Sequence, residues 1–336
     1  MNQKLKNKLS ILLLIIVTIA VLYFALKDDF IDIVNEILRV NIGWLLIAIF
    51  LLVSYWYMKS MVLYHTARHF KKDYRITQAF RNILLTQFFN GITPFASGGQ
   101  PFQVYSLKQE GISLTDGTNI IIQDFIVYQI ALVILGIFAI ISNHFLTIFP
   151  EVGLLKQLVT LGFLINALVI AILFIVAFAK KINLFIAKKL IYFLGKLKII
   201  KDSEKTSQKW KEYISRFHVG AAILMKDKKH FIYLIFLNLV ALMSLYLIPM
   251  VILFGLGDYT SVTGGYALIT SAYVMLIGSF VPIPGGTGGL EYSFLTFYGN
   301  FITGSTLKAI MLIWRFITYY FGIIVGAIAI NIKEKR

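Results

Sequence analysis

Long apolar stretches recur along the chain, and short polar segments separate them. Six of them have the length of a membrane-crossing helix, at about 9–26, 42–64, 118–142, 153–179, 230–254 and 306–330. Roughly 20 apolar residues in a helix cross the hydrocarbon core of a bilayer, which is about 30 Å thick. The pattern therefore predicts six transmembrane helices.

Two further apolar regions, at about 79–110 and 264–303, cannot be continuous helices. Residues 93–101 (TPFASGGQP) interrupt the first region, and residues 282–289 (PIPGGTGG) interrupt the second. Proline removes a backbone donor and glycine permits a positive φ, so each segment ends a helix. We expect two broken, re-entrant hairpins, because broken backbone at membrane depth must lie inside protein or line a wet cavity. Two ordinary kinked spans are the simpler alternative.

The charged residues between the apolar stretches alternate in sign. Residues 27–41 carry four acidic and two basic side chains, residues 65–81 one acidic and five basic, and residues 180–229 four acidic and 14 basic. Because basic residues flank spans on the cytoplasmic side, the two basic segments and both termini are predicted to be cytoplasmic. Residues 27–41, the loop around Glu151 and residues 256–262, which contain Asp258 and no basic residue, are predicted to be external. This topology requires the first hairpin to enter from the cytoplasm and the second from outside, which is an inverted-repeat arrangement.

The composition mainly excludes other classes of protein. Of the 336 residues, 58% are apolar and 14% are charged, and the mean hydropathy is +0.79. A soluble domain carries about a quarter charged residues, so we expect a single membrane domain over residues 1–336. The net charge of +16 is concentrated beside the spans, which favours anionic lipid headgroups over nucleic acid as partners. The absence of cysteine excludes disulfides and thiolate chemistry.

The basic segment 180–229 contains a stretch, residues 182–198, in which apolar clusters and lysines recur at near-helical spacing. This pattern predicts an amphipathic helix on the inner leaflet, and a cytoplasmic extension of the preceding span is the alternative. The first apolar stretch follows three lysines, as in a signal peptide. It is long and lacks a small-residue cleavage site, so we interpret it as an uncleaved helix.

Few ionisable residues fall inside apolar segments, where a charge is costly and usually functional. Among the acidic residues they are Asp124 and Glu291; among the basic residues Arg315 lies deepest, and it shares a helical face with Thr318. Glu291 follows the second break, where the amides of a helix start favour an anion. We expect it either to cap that helix and pair with Arg315 or to engage a cationic headgroup. Asp124 either binds a headgroup or is a carboxylate at headgroup depth, solvated or bonded to Tyr128.

Motifs of an enzyme active site are not found in the sequence. His65 and His69 have i, i+4 spacing, but Thr66 stands where a zincin has glutamate, and the glycine runs lack the Lys-Ser/Thr of a P-loop. We therefore predict no catalytic residue, no metal site and no cofactor. Four amide side chains bracket the first break: Gln87, Asn90, Gln100 and Gln103. They either bind headgroup oxygens or satisfy the broken backbone.

Three polar motifs together resemble the transmembrane, flippase-like region of lysylphosphatidylglycerol synthases. They are NGITP, GGQP and YSLK within residues 90–108, PIPGGTGGLE at 282–291 and WRFITYY at 314–320. The resemblance covers nearly the whole chain. It implies translocation, or flipping, of a phospholipid such as lysylphosphatidylglycerol between leaflets, an activity connected with antibiotic resistance. We expect the chain to correspond to the membrane part alone, without the soluble aminoacyltransferase domain.

The residues and the resemblance together predict a lipid-headgroup site near the membrane midplane. Its predicted members are Arg315, Glu291, Asp124, Gly285, Gly286, Gly98, Gly99, Gln100, Asn90 and Thr318. The arginine, the glycine backbone of the second break and Gln100 are expected at the phosphate. The two carboxylates are expected to meet a cationic headgroup or to neutralise the arginine.

The predicted partners are anionic and aminoacylated phospholipids in the plasma membrane, where we expect a multi-pass protein with both termini cytoplasmic. A homo-oligomer is left open. One alternative is an enzyme, a phosphatidylglycerol lysyltransferase or a subunit of one, which would also need lysyl-tRNA. A second alternative is a membrane scaffold that transports nothing.

Overall fold

A computed structural model of the chain describes residues 29–149, 153–196, 202–279 and 281–331. The described residues form helices joined by short turns, with no β-strand among them. The all-α polytopic fold predicted from the sequence is therefore confirmed. The predicted span at about 9–26 lies outside the described residues.

The helices in the described ranges have the following bounds. In chain order they are α1 (Phe30–Arg39), α2 (Ile42–Ala67), α3 (Ile76–Ile92), α4 (Gly99–Gln109), α5 (Leu114–Leu146), α6 (Gly153–Phe178), α7 (Lys180–Lys196), α8 (Ser203–Lys226), α9 (Lys228–Tyr246), α10 (Ile248–Gly255), α11 (Gly264–Gly278), α12 (Gly289–Tyr298), α13 (Gly304–Arg315) and α14 (Phe321–Asn331). Two short 3₁₀ turns, Pro94–Ala96 and Pro284–Gly286, lie in the breaks, and a π-helical turn, Phe316–Tyr320, joins α13 to α14.

Several helical segments are long and apolar enough to cross a membrane. In the described part of the chain there are five, Ile42–Ala67, Leu114–Leu146, Gln157–Phe178, Lys228–Gly255 and Gly304–Asn331. Each overlaps one predicted span, so those five predictions are confirmed. On α6, Leu164 and Leu168 are more than half exposed. Apolar side chains on an outer surface match hydrocarbon and would be unfavourable in water, which agrees with a multi-pass membrane protein.

Both regions that the sequence marks as broken form helical hairpins. In the first, α3 and α4 flank the break at residues 93–98, and in the second, α11 and α12 flank the break at residues 279–288. Lys71 Nζ donates to the Glu110 carbonyl at 2.6 Å, which joins the two ends of the first hairpin. The rings of Tyr266 and Phe301 stack at 5.4 Å, which joins the two ends of the second. Each hairpin therefore returns to the end of the bundle where it began.

The segments predicted to be external meet at one end of the bundle. The N–H of Asn41 donates to the Gly255 carbonyl at 2.8 Å, and Lys308 Nζ lies 2.6 Å from Asp29 Oδ2. The ring of Phe149 lies 6.3 Å from that of Phe301. We call this the acidic end, after segments 27–41 and 256–262. The first of these contains α1, which packs on α13 instead of forming a loop.

The basic segments meet at the opposite end, which we call the basic end. Asn119 Nδ2 donates to the Phe217 carbonyl at 2.7 Å, and the rings of His69 and His230 lie 4.9 Å apart. The first hairpin opens at the basic end and the second at the acidic end. The two hairpins therefore enter the bundle from opposite directions, as an inverted arrangement requires.

The amphipathic helix predicted at 182–198 corresponds to α7, which packs against α8. Residues 197 and 198 lie outside the described residues. A single residue, Ala179, separates α6 from α7, and helical bonding continues across it. The N–H of Ala179 donates to the Ile175 carbonyl, and its carbonyl accepts the N–H of Asn183. The helix therefore continues the preceding span, as the alternative expected, and its position on the inner leaflet stays a prediction.

Close packing of α14 against α3 positions the polar residues of the last span. A Cβ at Gly326 would lie 2.7 Å from the Leu84 carbonyl oxygen, and a Cβ at Gly91 would overlap Ile323. Small residues permit such close approach between helices in a membrane. The contact places the residues at 315–320 beside both breaks.

Labelling from the two sides of the membrane tests the topology. Thr260, at the acidic end, and Gln208, on α8, are both exposed. In this cysteine-free chain, we expect Thr260→Cys to react with an impermeant maleimide from outside intact cells and Gln208→Cys to react only after permeabilisation. The unsubstituted protein is the control for background. Labelling of both positions from one side would contradict the predicted topology.

Candidate functional site

Arg315 and Glu291 form a buried ion pair at the second break. Arg315 Nε donates to Glu291 Oε1 at 2.6 Å, and the two side chains are 6% and 8% exposed. Glu291 Oε2 accepts the N–H of Gly288 at 2.6 Å, which satisfies a free donor at the start of α12. Of the roles considered for Glu291, the structure therefore has the combination of helix cap and ion pair.

The Arg315 guanidinium is only partly satisfied by this pair. Its Nη2 donates to the Gly285 carbonyl at 2.8 Å and lies 3.5 Å from Thr287 Oγ1. Within the described segments, nothing accepts a hydrogen bond from Nη1. A guanidinium has five N–H donors in a planar fork that suits a carboxylate or a phosphate. Because the arginine also lines a cavity, it has donors available for an oxyanion.

Tyr319 joins the two breaks. Its hydroxyl donates to the Gly91 carbonyl at 2.8 Å, just before the first break, and its ring centre lies 4.6 Å from Arg315 Cζ. The same ring lies against Gly285 so closely that a Cβ there would overlap it. Tyr319 belongs to the π-helical turn, a distortion that is often found at functional sites. The second half of the chain thus satisfies a backbone group left free by the first break.

A cavity in two adjoining compartments lies where the breaks meet. The Arg315 compartment, lined by Arg315, Gly285, Gly286 and Thr318, has a volume of about 310 Å³. The Asp124 compartment, lined by Lys59, Asp124, Gln100 and Gln129, also has about 310 Å³. The two share eight wall residues: Tyr55, Gln87, Asn90, Phe95, Ala96, Tyr128, Leu132 and Ser279. Pockets of this size hold small ligands or a polar headgroup.

The second buried ion pair is one that the sequence analysis missed. Lys59 Nζ lies 3.0 Å from Asp124 Oδ1 and 3.2 Å from Oδ2, and it also donates to Asn238 Oδ1 at 3.1 Å. Asp124 is 6% exposed, and its hydrogen bonds within the described residues come from Lys59, so the alternative of a solvated or Tyr128-bonded carboxylate is wrong. The expectation that it neutralises Arg315 is wrong, because Lys59 is its partner. Lys59 is thus a second buried basic residue within a span, besides Arg315.

The first break carries backbone strain. Phe95 and Ala96 have φ of 55° and 51°, which is rare for residues with a side chain, and both line the two compartments. Such strain costs about 1–3 kcal/mol a residue and tends to occur at functional sites. Thr93 Oγ1 holds the turn together, since it donates to the Phe89 carbonyl at 2.7 Å and accepts the Gly98 N–H at 2.9 Å.

The structure divides the predicted site residues into four groups. Gly285, Gly286, Thr318 and Arg315 line one compartment, Gln100 and Asp124 line the other, and Asn90 lines both. Gly98, Gly99 and Glu291 line neither. A Cβ at Gly99 would overlap the Asn90 amide, and one at Gly98 would press on Thr93, so these glycines permit close packing within the break. Gln100 is separated from the arginine with which it was grouped.

His65 and His69, which were considered for metal binding, lie at the basic end beside His230. The ring centre of His230 is 5.9 Å from that of His65 and 4.9 Å from that of His69. Across the ranges that the structure describes, no group of three or more histidine and acidic side chains is arranged to hold a metal ion.

The arrangement of breaks, buried ion pairs and cavity can be set beside known proteins. Residues 10–326 match the family described as the lysylphosphatidylglycerol synthase TM region. A protein of Archaeoglobus fulgidus named UPF0104 membrane protein is 26% identical over 315 residues, which are 90% of this chain and 90% of the archaeal protein. The chain therefore belongs to the family of the lysylphosphatidylglycerol synthase transmembrane region, a family of membrane proteins with a lipid-related role.

Proposed function

We propose that this protein translocates a phospholipid between the two leaflets, with an aminoacylated phosphatidylglycerol such as lysylphosphatidylglycerol as the favoured substrate. One observation carries the proposal: a buried arginine with free N–H donors lines a cavity at the junction of two broken hairpins. Ionisable groups and broken backbone inside a membrane mark the paths of polar substrates. The family membership supports a lipid as that substrate.

The phosphate of the lipid would bind at Arg315. Glu291 holds Nε and the Gly285 carbonyl holds Nη2, so the guanidinium is fixed while Nη1 stays available. Charge-assisted hydrogen bonds from arginine to phosphate are about twice as strong as neutral ones. The headgroup would occupy the cavity while the acyl chains remain in the lipid. A headgroup held in this way crosses the hydrocarbon without losing all its polar contacts.

The energy for net transport would come from outside the protein. The sequence has no P-loop motif, and we propose that an ion gradient or consumption of the lipid on one side drives the direction. Without such a drive the protein would equilibrate the lipid between leaflets. Equilibration is the simpler activity to measure, so it is the basis of the test.

Proteoliposomes containing lysylphosphatidylglycerol test the proposal. An impermeant amine-reactive reagent modifies only outer-leaflet lipid in vesicles without protein. With the protein present, we expect the inner-leaflet pool to become reactive over time. Arg315→Gln should abolish this gain, because its amide is uncharged. Arg216→Gln is the matched control, since Arg216 is 68% exposed on α8 and its pair with Glu212 contributes little.

Two results would contradict translocation. Folded protein that leaves the inner-leaflet pool unreactive would favour the scaffold alternative. Formation of aminoacylated lipid from phosphatidylglycerol and lysyl-tRNA, in the absence of movement between leaflets, would favour the transferase alternative. Reaction of the inner-leaflet pool and formation of new aminoacylated lipid are both measured on the same vesicle preparation, by lipid extraction and mass spectrometry after treatment with the impermeant reagent.

A further inference from the structure

The Lys59–Asp124 pair contains a complete set of acceptors for a primary ammonium. An ammonium has three N–H donors and no acceptor. Lys59 Nζ has three acceptor oxygens within 3.2 Å, namely both carboxylate oxygens of Asp124 and Asn238 Oδ1. Asn238 Nδ2 donates to the Leu234 carbonyl at 3.0 Å, and this bond turns the amide oxygen toward the lysine. The three oxygens come from α5 and α9, and the lysine from α2.

An aromatic side chain adds to this preference for a cation. Lys59 Nζ lies 4.9 Å from the centre of the Tyr128 ring, within the range of a cation–π interaction. Tyr128 also belongs to the wall shared with the Arg315 compartment. A cation at this position would therefore be close to the boundary between the compartments.

The two ion pairs are exposed to the cavity differently. In the Arg315 compartment the cation lines the space, whereas Glu291 does not and has both oxygens engaged. In the Asp124 compartment both Asp124 and Lys59 line the space. A carboxylate offers about four acceptor positions, so Asp124 can accept more donors than this one ammonium provides. The first compartment thus offers free donors to an anion, and the second offers a carboxylate that can accept a further ammonium.

We propose that the Asp124 compartment is a binding site for a primary ammonium and that the Lys59 side chain is its tethered occupant in this structure. An incoming ammonium takes the three oxygens, and the flexible lysine stem moves into the adjoining space. The ligand is the amine of a lipid headgroup whose phosphate lies at Arg315, or a free alkylammonium with the same chemistry. The lipid form rests on the proposed function, whereas binding of the ammonium itself does not.

Chemical rescue of the purified protein in detergent tests the site without any transport measurement. Lys59→Ala leaves Asp124 buried and unpaired, and we expect Tm to fall by roughly 5–10 °C. Methylammonium should restore at least half of the loss with a saturable dose response. Tetramethylammonium at equal ionic strength should not, since it has no N–H donor. Lys59→Met combined with Asp124→Asn should be stable alone and unaffected by methylammonium. The Tm of Arg315→Ala should rise with guanidinium and should not rise with methylammonium.

A second arm uses the unaltered protein and distinguishes the two sources of the amine. Lysophosphatidylethanolamine and lysophosphatidylglycerol both carry a phosphate, but only the first carries a primary ammonium. We expect lysophosphatidylethanolamine to raise Tm more than lysophosphatidylglycerol does. In the variant that combines Lys59→Met with Asp124→Asn, the two lipids should raise Tm equally. Rescue by methylammonium without this lipid difference would support the site with a free amine as its ligand. If Lys59→Ala cannot be purified, the lipid comparison decides alone, and equal stabilisation by both lipids would overturn the proposal. If the variant is purified, the proposal is overturned when methylammonium fails to restore its Tm and the two lipids also stabilise the unaltered protein equally.

Discussion

Arg315→Gln is expected to lower the free energy of unfolding by about 3–5 kcal/mol, because it leaves the Glu291 carboxylate buried without its counter-charge. Both side chains are less than a tenth exposed, so solvent cannot replace the lost partner. Glu291→Gln should cost less than a truncation at this site, since its amide oxygen can still accept the Gly288 N–H. The free energy of unfolding of each variant is measured by titrating the protein, in mixed micelles, with a denaturing detergent.

The double variant separates stability from transport. Arg315→Gln with Glu291→Gln removes both buried charges, so the free energy of unfolding should recover most of the loss. Lipid translocation should stay absent, because no charged donor remains for phosphate. Arg216→Gln with Glu212→Gln repeats the same substitutions at an exposed pair 2.7 Å apart and should change stability by less than about 1 kcal/mol. Strictly additive losses at the buried pair would refute the coupling, and full transport by the double variant would refute the phosphate role.

Gly285→Ala should destabilise the protein by about 2–5 kcal/mol and abolish translocation. The residue has a φ of +66°, where a side chain costs about 1–2 kcal/mol. Its Cβ would also overlap the Tyr319 ring, and forced overpacking adds about 1–3 kcal/mol. The ring cannot move away easily, because its hydroxyl is bonded to the Gly91 carbonyl. Since Gly285 also accepts a hydrogen bond from Arg315, displacing it disturbs the guanidinium.

Two other glycines separate these contributions. Gly304 has the same φ of +66° as Gly285 but no atom within 4 Å of an added Cβ, so Gly304→Ala reports mainly the cost of the positive φ. Gly265 has neither a positive φ nor a neighbour within that distance, so Gly265→Ala should be nearly neutral. The expected order of destabilisation is Gly285, then Gly304, then Gly265. Equal losses at Gly285 and Gly304 would show that the contact with Tyr319 is unimportant.

The fold could be predicted because its main signals are local in sequence. Apolar length predicted the spans, and proline beside paired glycine predicted breaks at 93–101 and 282–289, which overlap the observed breaks at 93–98 and 279–288. The Arg315–Glu291 pair could also be predicted from the sequence, because the two residues are only 24 positions apart and each is a charged residue in an apolar region. How the hairpins are placed against each other depends on close packing between helices, such as that of Gly326 on α3, and no short motif encodes it.

The Lys59–Asp124 pair escaped prediction because both helices extend beyond their predicted ends. Lys59 appears close to the end of a span at 42–64, but α2 continues to Ala67, eight residues further on. Asp124 lies ten residues into α5, which begins at Leu114, and at about 1.5 Å per residue this is about 15 Å of helix. The two residues are 65 apart in sequence, so neither indicates the other.

The bond between Tyr319 and Gly91 has a consequence for biosynthesis. The two residues are 228 positions apart. At about 5–20 residues per second, a ribosome needs roughly 10–45 s to travel from one to the other. During that time the nascent chain holds a broken hairpin whose Gly91 carbonyl has no Tyr319 to satisfy it. Exposed backbone of this kind is unfavourable in lipid, so we expect the first hairpin to stay at the membrane surface or against protein until Tyr319 is made. Synthesis of the last helix would then let the first hairpin reach its final depth.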